Sequence, residues 1–469
     1  MVKKIVRFSF LCYTEYSLCA IQEIYVTAKG SKKMKKIIAL LLCIMTAFSL
    51  FACSKPGEAE LGPEVIEKKD YSKHAGIVMD TKTWCDEFMA LPIANENMTE
   101  QELRQLCVDA FRLNMTIPWT PNKEVSYTYE LLDKYSDVRL PLGLAYSGLC
   151  YATGIKNATC GNAWKMLPYY DVQTGVLDVE AIGEENLLNI ISSACSYGAQ
   201  QGWNRVSNSH GLQDMGSYSQ YEANIVPVGP YTYQPFTYNY NFATRTASNE
   251  VIAANGNQVM YESLAMMKIA DGLYSSSSWH VMMCSQEPVV VRFPDGSINP
   301  IESYMYVHEQ GGARPETQQS NGKTLRPLGT IDNKYTFEKL LSSGYIPFTL
   351  KEFTGEEPVE PGKAWLGKET APIENGTDMT IEDIAAEKIC ANYNLCNIKV
   401  EVKAPDGTVL VSYNPHIMTN PQTFSSALTG CLIFDRLTPY ANGKNTIHIY
   451  AQLANGELLE AFNTLLKMD

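Results

Sequence analysis

The residues best suited to act on a covalent bond lie in the middle of the chain. Ser193-Ala194-Cys195-Ser196 runs into a stretch that reads as a helix through Gly198, Trp203 and Val206. A thiol at a helix N-terminus feels the positive end of the helix dipole, which favours the thiolate. Downstream, Trp279-His280-Val281-Met282-Met283 places a histidine at the opening of an apolar strand. A neighbouring imidazole can hold a thiolate as an ion pair and later protonate a leaving amine. A third polar group must orient that imidazole. The next strand-like stretch, Tyr304 to Gln310, offers Val307-His308-Glu309-Gln310. Side chains alternate along a strand, so His308 and Gln310 share one face and Glu309 takes the other. Glu309 is the favoured orienting group. His308 takes that role if the face with Tyr306 meets the cysteine.

A lone cysteine in an apolar helix is more often an inert core residue. What raises this set above that explanation is its order: cysteine on a helix, histidine on a strand, glutamate on the following strand. With this order the region from about Leu140 to Gln310 resembles the NlpC-like superfamily of cell-wall cysteine peptidases, which includes the CHAP amidases. Cys195-Ser196 is similar to the family's nucleophile motif, and His280-Val281 to its His-Val motif. Asp271-Gly272-Leu273 resembles the family's Gly-Asp strand start with the order disturbed. Asp295-Gly296-Ser297-Ile298, then Tyr304 to Gln310, resembles the CHAP pattern that ends in an orienting Glu and a nearby amide. Gly143-Leu144-Ala145-Tyr146 loosely resembles the family's Gly-x-Pro-Tyr segment. The chain departs from the pattern at Ala194, where the family often has Asp, and at Trp279, where it usually has Gly. The interval between Cys195 and His280 is also longer than usual.

The resemblance implies an α+β, papain-like domain in which the helix carrying Cys195 packs on an antiparallel sheet. It implies Cys195 as nucleophile, His280 as base, Glu309 or His308 as orienter and Gln310 in a fourth polar role. No cofactor is implied. The implied substrates are peptide or amide bonds of peptidoglycan. Trp119, Tyr146, Tyr151 and Trp164 are candidates to line the substrate, because aromatic rings stack on sugars and peptides; they also fill cores. Tyr218 to Phe242, rich in Tyr, Pro and Gly, reads as a long functional loop.

The rest of the chain must position and deliver this set. Ile37 to Ala52 is an apolar run of 16 residues behind Met34-Lys35-Lys36. It is short for a membrane span, which takes about 20 residues, and has the layout of a secretion signal. Leu50-Phe51-Ala52-Cys53 resembles the lipobox of bacterial lipoproteins, whose cysteine receives a lipid. The expected product starts at Cys53, exported and lipid-anchored on the outer face of the bacterial cell membrane, with Met34 as the true start. The chain has 38 basic and 51 acidic residues, a formal charge of −13. An acidic balance argues against a nucleic-acid partner, since phosphate binding needs a basic face. The expected partner is peptidoglycan or another envelope peptide or glycan.

Of 13 cysteines, nine follow Cys53. That is too sparse for a disulfide scaffold, although Cys390 and Cys396 are close enough in sequence to bridge. No spacing suits zinc, so no metal is expected. The expected organisation is a leader and signal over 1–52, a tether over 53–75 and a helical extension over 76–139. The peptidase-like domain follows over 140–353, then a Glu/Pro/Gly-rich linker over 354–377 and a small all-β sandwich over 378–469. Thr99, three residues before Glu102, predicts a helix start. Ser192 and Ser193 are possible caps of the Cys195 helix. Two other functions fit the same residues: an inactive NlpC-like module that binds wall or glycan ligands, and a solute-binding lipoprotein of unrelated fold.

Overall fold

Alternating apolar residues build the sheet on which the site rests. The computed structural model describes residues 81–131, 134–152, 161–208, 225–232, 247–311, 317–318, 324–415, 425–429 and 431–467. The leader, Cys53, the tether and most of the Tyr-rich loop lie outside the described residues. The central sheet has six strands: β1 Ile225–Pro227, β2 Gly272–Ser275, β3 His280–Cys284, β4 Tyr304–Glu309, β5 Thr330–Thr336 and β6 Ile346–Leu350. They lie in the order β5-β4-β3-β2-β6-β1, every neighbour antiparallel.

Two helices cover one face of this sheet. Helix α1, Glu100–Asn114, is started by the capping box of Thr99 and Glu102. Helix α2, Cys195–Trp203, lies beside it. Their Phe111, Ala199 and Trp203 share a core with Val281, Met283, Ile346 and Phe348. Gly202 lets α2 approach α1 closely, since a Cβ there would lie 2.5 Å from the Cys107 carbonyl oxygen. Met282, Cys284, Met305 and Val307 point the other way, into a second core with Leu264, Phe337 and Leu340. This split between even and odd positions is the period-two signature of a strand.

Among the described residues five further sheets complete the mixed α+β fold, two of them only two-stranded. A second six-stranded sheet has at its centre Ala145–Ser147 and Pro118–Pro121, paired antiparallel. Near the C-terminus two four-stranded sheets share one core. Leu366 and Ile389 come from the first; Ile398, Val400, Ile449 and Phe462 come from the second. Short helices Ile381–Ala386 and Phe434–Leu437 pack with them, so this region is not purely β.

Four expectations need correction. The segment expected as a linker contributes Ala364–Lys368, which pairs with Lys388–Ala391 and belongs to the C-terminal sheets. The extension expected as helical over 76–139 also holds the strands Pro118–Pro121 and Val125–Leu131 and most of Lys134–Leu140, and its Trp84, Phe88 and Phe111 lie in the core that carries the site. Leu140 to Trp164, whose glycines and aromatics read as loop or turn rather than regular structure, holds two short strands, Ala145–Ser147 and Cys150–Tyr151. Cys390 and Cys396 are both free thiols, on consecutive strands of different sheets rather than bridged. Among the described residues, no helix is long and apolar enough to cross a membrane.

Candidate active site

The short strand Ser192–Ser193 delivers the chain to Cys195. It pairs in parallel with Cys150–Tyr151, in the register Cys150↔Ser192 and Tyr151↔Ser193. Both serines are fully buried, and their hydroxyls donate to Leu188 O and Ala194 O. Neither caps α2, because strand pairing claims them before the helix begins. The N-cap is Ala194, with extended backbone and no capping side chain. No side chain caps the start of the helix, and the Ser196 N–H reaches the Cys195 sulfur.

The thiol is 8% exposed and lies against the start of β3. Its Sγ donates to Trp279 O at 3.5 Å. Burial opposes its ionisation. The hydrogen bond and charge of His280 outweigh that penalty, helped by the N–H groups of Val281 and Ser196, and hold the thiol below its ordinary range. His280 Nε2 meets Glu309 Oε2 at 2.8 Å. Nδ1 is the ring nitrogen left for sulfur. Burial works against the imidazolium too. Contact with Cys195 and Glu309 wins, and His280 is raised to about 10. The two shifts share one cause, the contact between the Cys195 sulfur and the His280 ring, with the Glu309 carboxylate behind it.

The loop before β3 is built to present this ring. Trp279 has φ 50°, in the left-handed region. A bulky side chain rarely adopts it. The strain is held by the serines in front of it. Ser275, Ser277 and Ser278 all donate to Ser343 O, at 2.7, 3.1 and 3.1 Å. Tyr345 packs edge-on to the His280 ring, 6.4 Å between centroids.

Register decides which residue of β4 faces the ring. Met283 pairs with His308 and Cys284 with Val307. Continuing that register sets Glu309 opposite Met282, on the face of His280 and one diagonal step from it. Glu309 is 3% exposed; its Oε1 accepts from Asn333 Nδ2 at 2.6 Å and from the Tyr335 hydroxyl at 3.1 Å.

His308 points to the helix side and is not the orienting group. Its Nδ1 accepts from the Asp332 N–H at 3.2 Å, its ring meets the edge of Phe111, and burial pushes it down to about 4. Asp332 sits with φ 51° at an irregularity between β4 and β5, which brings its N–H to that nitrogen. Gln310 shares the His308 side. Its amide donates to Leu149 O at 2.8 Å, and it lies under Gly198, where a Cβ would come within 2.7 Å of its own Cβ. It ties β4 to α2 and to the residue just ahead of Cys150–Tyr151, the strand that pairs with Ser192–Ser193, rather than to His280.

The aromatic candidates divide. Trp119 and Tyr146 are 1% and 0% exposed, packed ring on ring at 5.2 Å, and are core. Trp164 is half-buried between Phe88 and the Arg205 guanidinium. Tyr151 alone is placed near the cysteine, half-buried on the strand beside Ser193. Asn333 and Tyr335 were not foreseen. The signal for them is the alternation of Thr330–Thr336, a polar strand that follows Tyr304–Glu309 in the same sheet. Among the described residues, no group of three or more His, Cys, Asp or Glu is placed to hold a metal ion.

Protein-family models, curated proteins and solved structures were compared with the chain. None matches. The site's chemistry rests on its own geometry.

Proposed function

We propose that the chain is a cysteine hydrolase that cleaves a peptide or amide bond through Cys195, His280 and Glu309. The observation that carries this reading is the bracketing of His280, with Glu309 on Nε2 and the Cys195 sulfur on the other side. An inert core cysteine has no use for that arrangement. Cys107 and Cys284, both buried, are pushed upward by burial instead. The same ordering of helix, cysteine, histidine strand and glutamate strand supports a papain-like domain of the NlpC/CHAP type.

In the proposed mechanism the Cys195 thiolate attacks the carbonyl carbon of the scissile amide. The N–H of Cys195, at the uncapped start of α2, faces the developing oxyanion. As the tetrahedral intermediate collapses, His280 gives its Nδ1 proton to the leaving amine, and a thioester to Cys195 remains. Water then loses a proton to His280 and attacks the thioester. A carboxylate leaves and the ion pair is restored. Glu309 holds the ring in one tautomer throughout and stabilises its charge.

The signs of the two shifts set the pH dependence. Below the lowered thiol value Cys195 is protonated and turnover falls. Above about 10 the imidazolium is lost and with it the proton for the leaving group.

Peptidoglycan is the proposed substrate class, in keeping with a chain exported and tethered through Cys53. Incubating purified peptidoglycan with the full chain and with Cys195→Ala tests it. Soluble muropeptides released by the unsubstituted chain alone are expected, and the new ends identify the bond. Release by neither, from a chain whose Cys195 is reactive, would move the substrate elsewhere. Release by neither with an inert Cys195 would make the domain a binding module.

A further inference from the structure

We infer that Asn333 and Tyr335 are positioning residues that clamp the far oxygen of Glu309, so that its near oxygen is presented to His280 as a fixed carboxylate. The inference rests on the Cys195–His280–Glu309 reading. The geometry is a closed triangle: Asn333 Nδ2 lies 2.6 Å from Glu309 Oε1 and 3.1 Å from the Tyr335 oxygen, which lies 3.1 Å from the same Oε1. All three residues share one face of the sheet. Val307 pairs with Asn333 and Met305 with Tyr335, so the odd positions of β4 and β5 stand side by side. Oε2, the oxygen outside the triangle, takes His280 Nε2 at 2.8 Å.

Two donors on one carboxylate oxygen do two things. They favour the charged form, because a protonated carboxyl accepts less strongly. They also stop rotation about the terminal bond, which is otherwise broad for glutamate. Both effects pass through Glu309 to the imidazolium and from there to the thiolate. Close to this cluster are Cys195, at the start of α2, and Tyr345, ahead of β6; Cys284 and Tyr261 lie deeper in the core on the same side of the sheet. His308 and Asp332 meet on the far side of the bulge, and Asp332 is largely solvated. None of these can replace the clamp on Oε1.

The test needs no substrate. Iodoacetamide modification of Cys195 in the full chain is followed against pH, with the modified peptide quantified by mass spectrometry. Tyr335→Phe removes one hydroxyl and leaves the ring in place. It should slow alkylation at pH 7 by roughly threefold to tenfold, the range for one hydrogen bond, and move the half-maximal pH upward. Asn333→Ala should act in the same direction. In a Glu309→Gln background, Tyr335→Phe should change nothing further, because the route to the sulfur runs through the carboxylate. An equal loss in both backgrounds, or no loss in the unsubstituted one, overturns the inference. If Cys195 reacts fast but Tyr335→Phe leaves it unchanged, the clamp fails and the catalytic reading stands. If Cys195 of the unsubstituted chain reacts no faster than Cys107, both fall.

Discussion

His280→Ala is expected to cost hydrolysis at least a thousandfold while leaving the fold intact. Two losses compound. General acid–base catalysis alone contributes about 10²–10⁴-fold. The thiolate is lost as well: without the imidazolium, burial is the dominant influence left on Cys195, and a cysteine near its ordinary value is only a few per cent ionised at pH 7. His280 is half-buried at the mouth of its strand, so trimming it removes little core. His308→Asn provides the contrast. His308 is equally conspicuous in the sequence but lies across the sheet on Phe111. Its replacement should change turnover by no more than a few-fold, whatever it does to stability. Initial rates of the two variants across pH decide the matter. Equal losses would mean that the sheet face has been assigned to the wrong residue.

Arg104→Ala should destabilise the chain by about 3–5 kcal/mol, the range for removing one partner of a buried ion pair. Arg104 is 3% exposed on α1, and its guanidinium reaches Asp271 Oδ1 at 2.6 Å, Ile269 O at 2.9 Å and Thr349 Oγ1 at 3.1 Å. Asp271 itself is 1% exposed, just before β2. Burial already outweighs Arg104 and pushes its carboxyl upward. Without the arginine that buried carboxylate keeps its hydrogen bonds from the Lys268 N–H and Thr349 but loses its charge partner, and α1 loses its buried polar tie to the start of the sheet. Replacing both partners by apolar side chains of similar size should recover much of the loss. Urea midpoints at pH 7 measure it. A loss below about 1 kcal/mol, typical of a solvated surface pair, would contradict this account of how helix and sheet are joined.

The amino-acid sequence made the outline of the site legible because each part has a local cause. Cys195 opens a helix, His280 opens a strand and Tyr304–Glu309 is a strand, as their patterns imply. What strict alternation cannot say is which face of β4 meets the cysteine, since both answers satisfy it. Pairing with β3 made that choice, and the left-handed Asp332 then tied His308 to the opposite side. Asn333 and Tyr335 are harder to read for a related reason: the alternation of Thr330–Thr336 marks a strand, but which of its polar residues meets the site depends on the neighbouring strand. Ser192 and Ser193 misled because a serine before a helix resembles a cap until a parallel partner claims it. Ala364–Lys368 was hidden by the Glu, Pro and Gly around it, which read as linker although the segment between them pairs in a sheet. Trp119 and Tyr146 suggested a ligand surface because aromatic rings stack on sugars and peptides, yet both are core.

The central claim is that Cys195 exists as a thiolate held by His280, and cysteine alkylation tests it most directly. The full chain is treated with limiting iodoacetamide at pH 7, and modification of each cysteine is followed in time by mass spectrometry. The account predicts that Cys195 reacts at least tenfold faster than Cys107, Cys150 and Cys284, whose burial pushes them upward. It also predicts that His280→Ala removes the advantage. A Cys195 that reacts as slowly as those three, or one whose rate His280→Ala leaves unchanged, would contradict it.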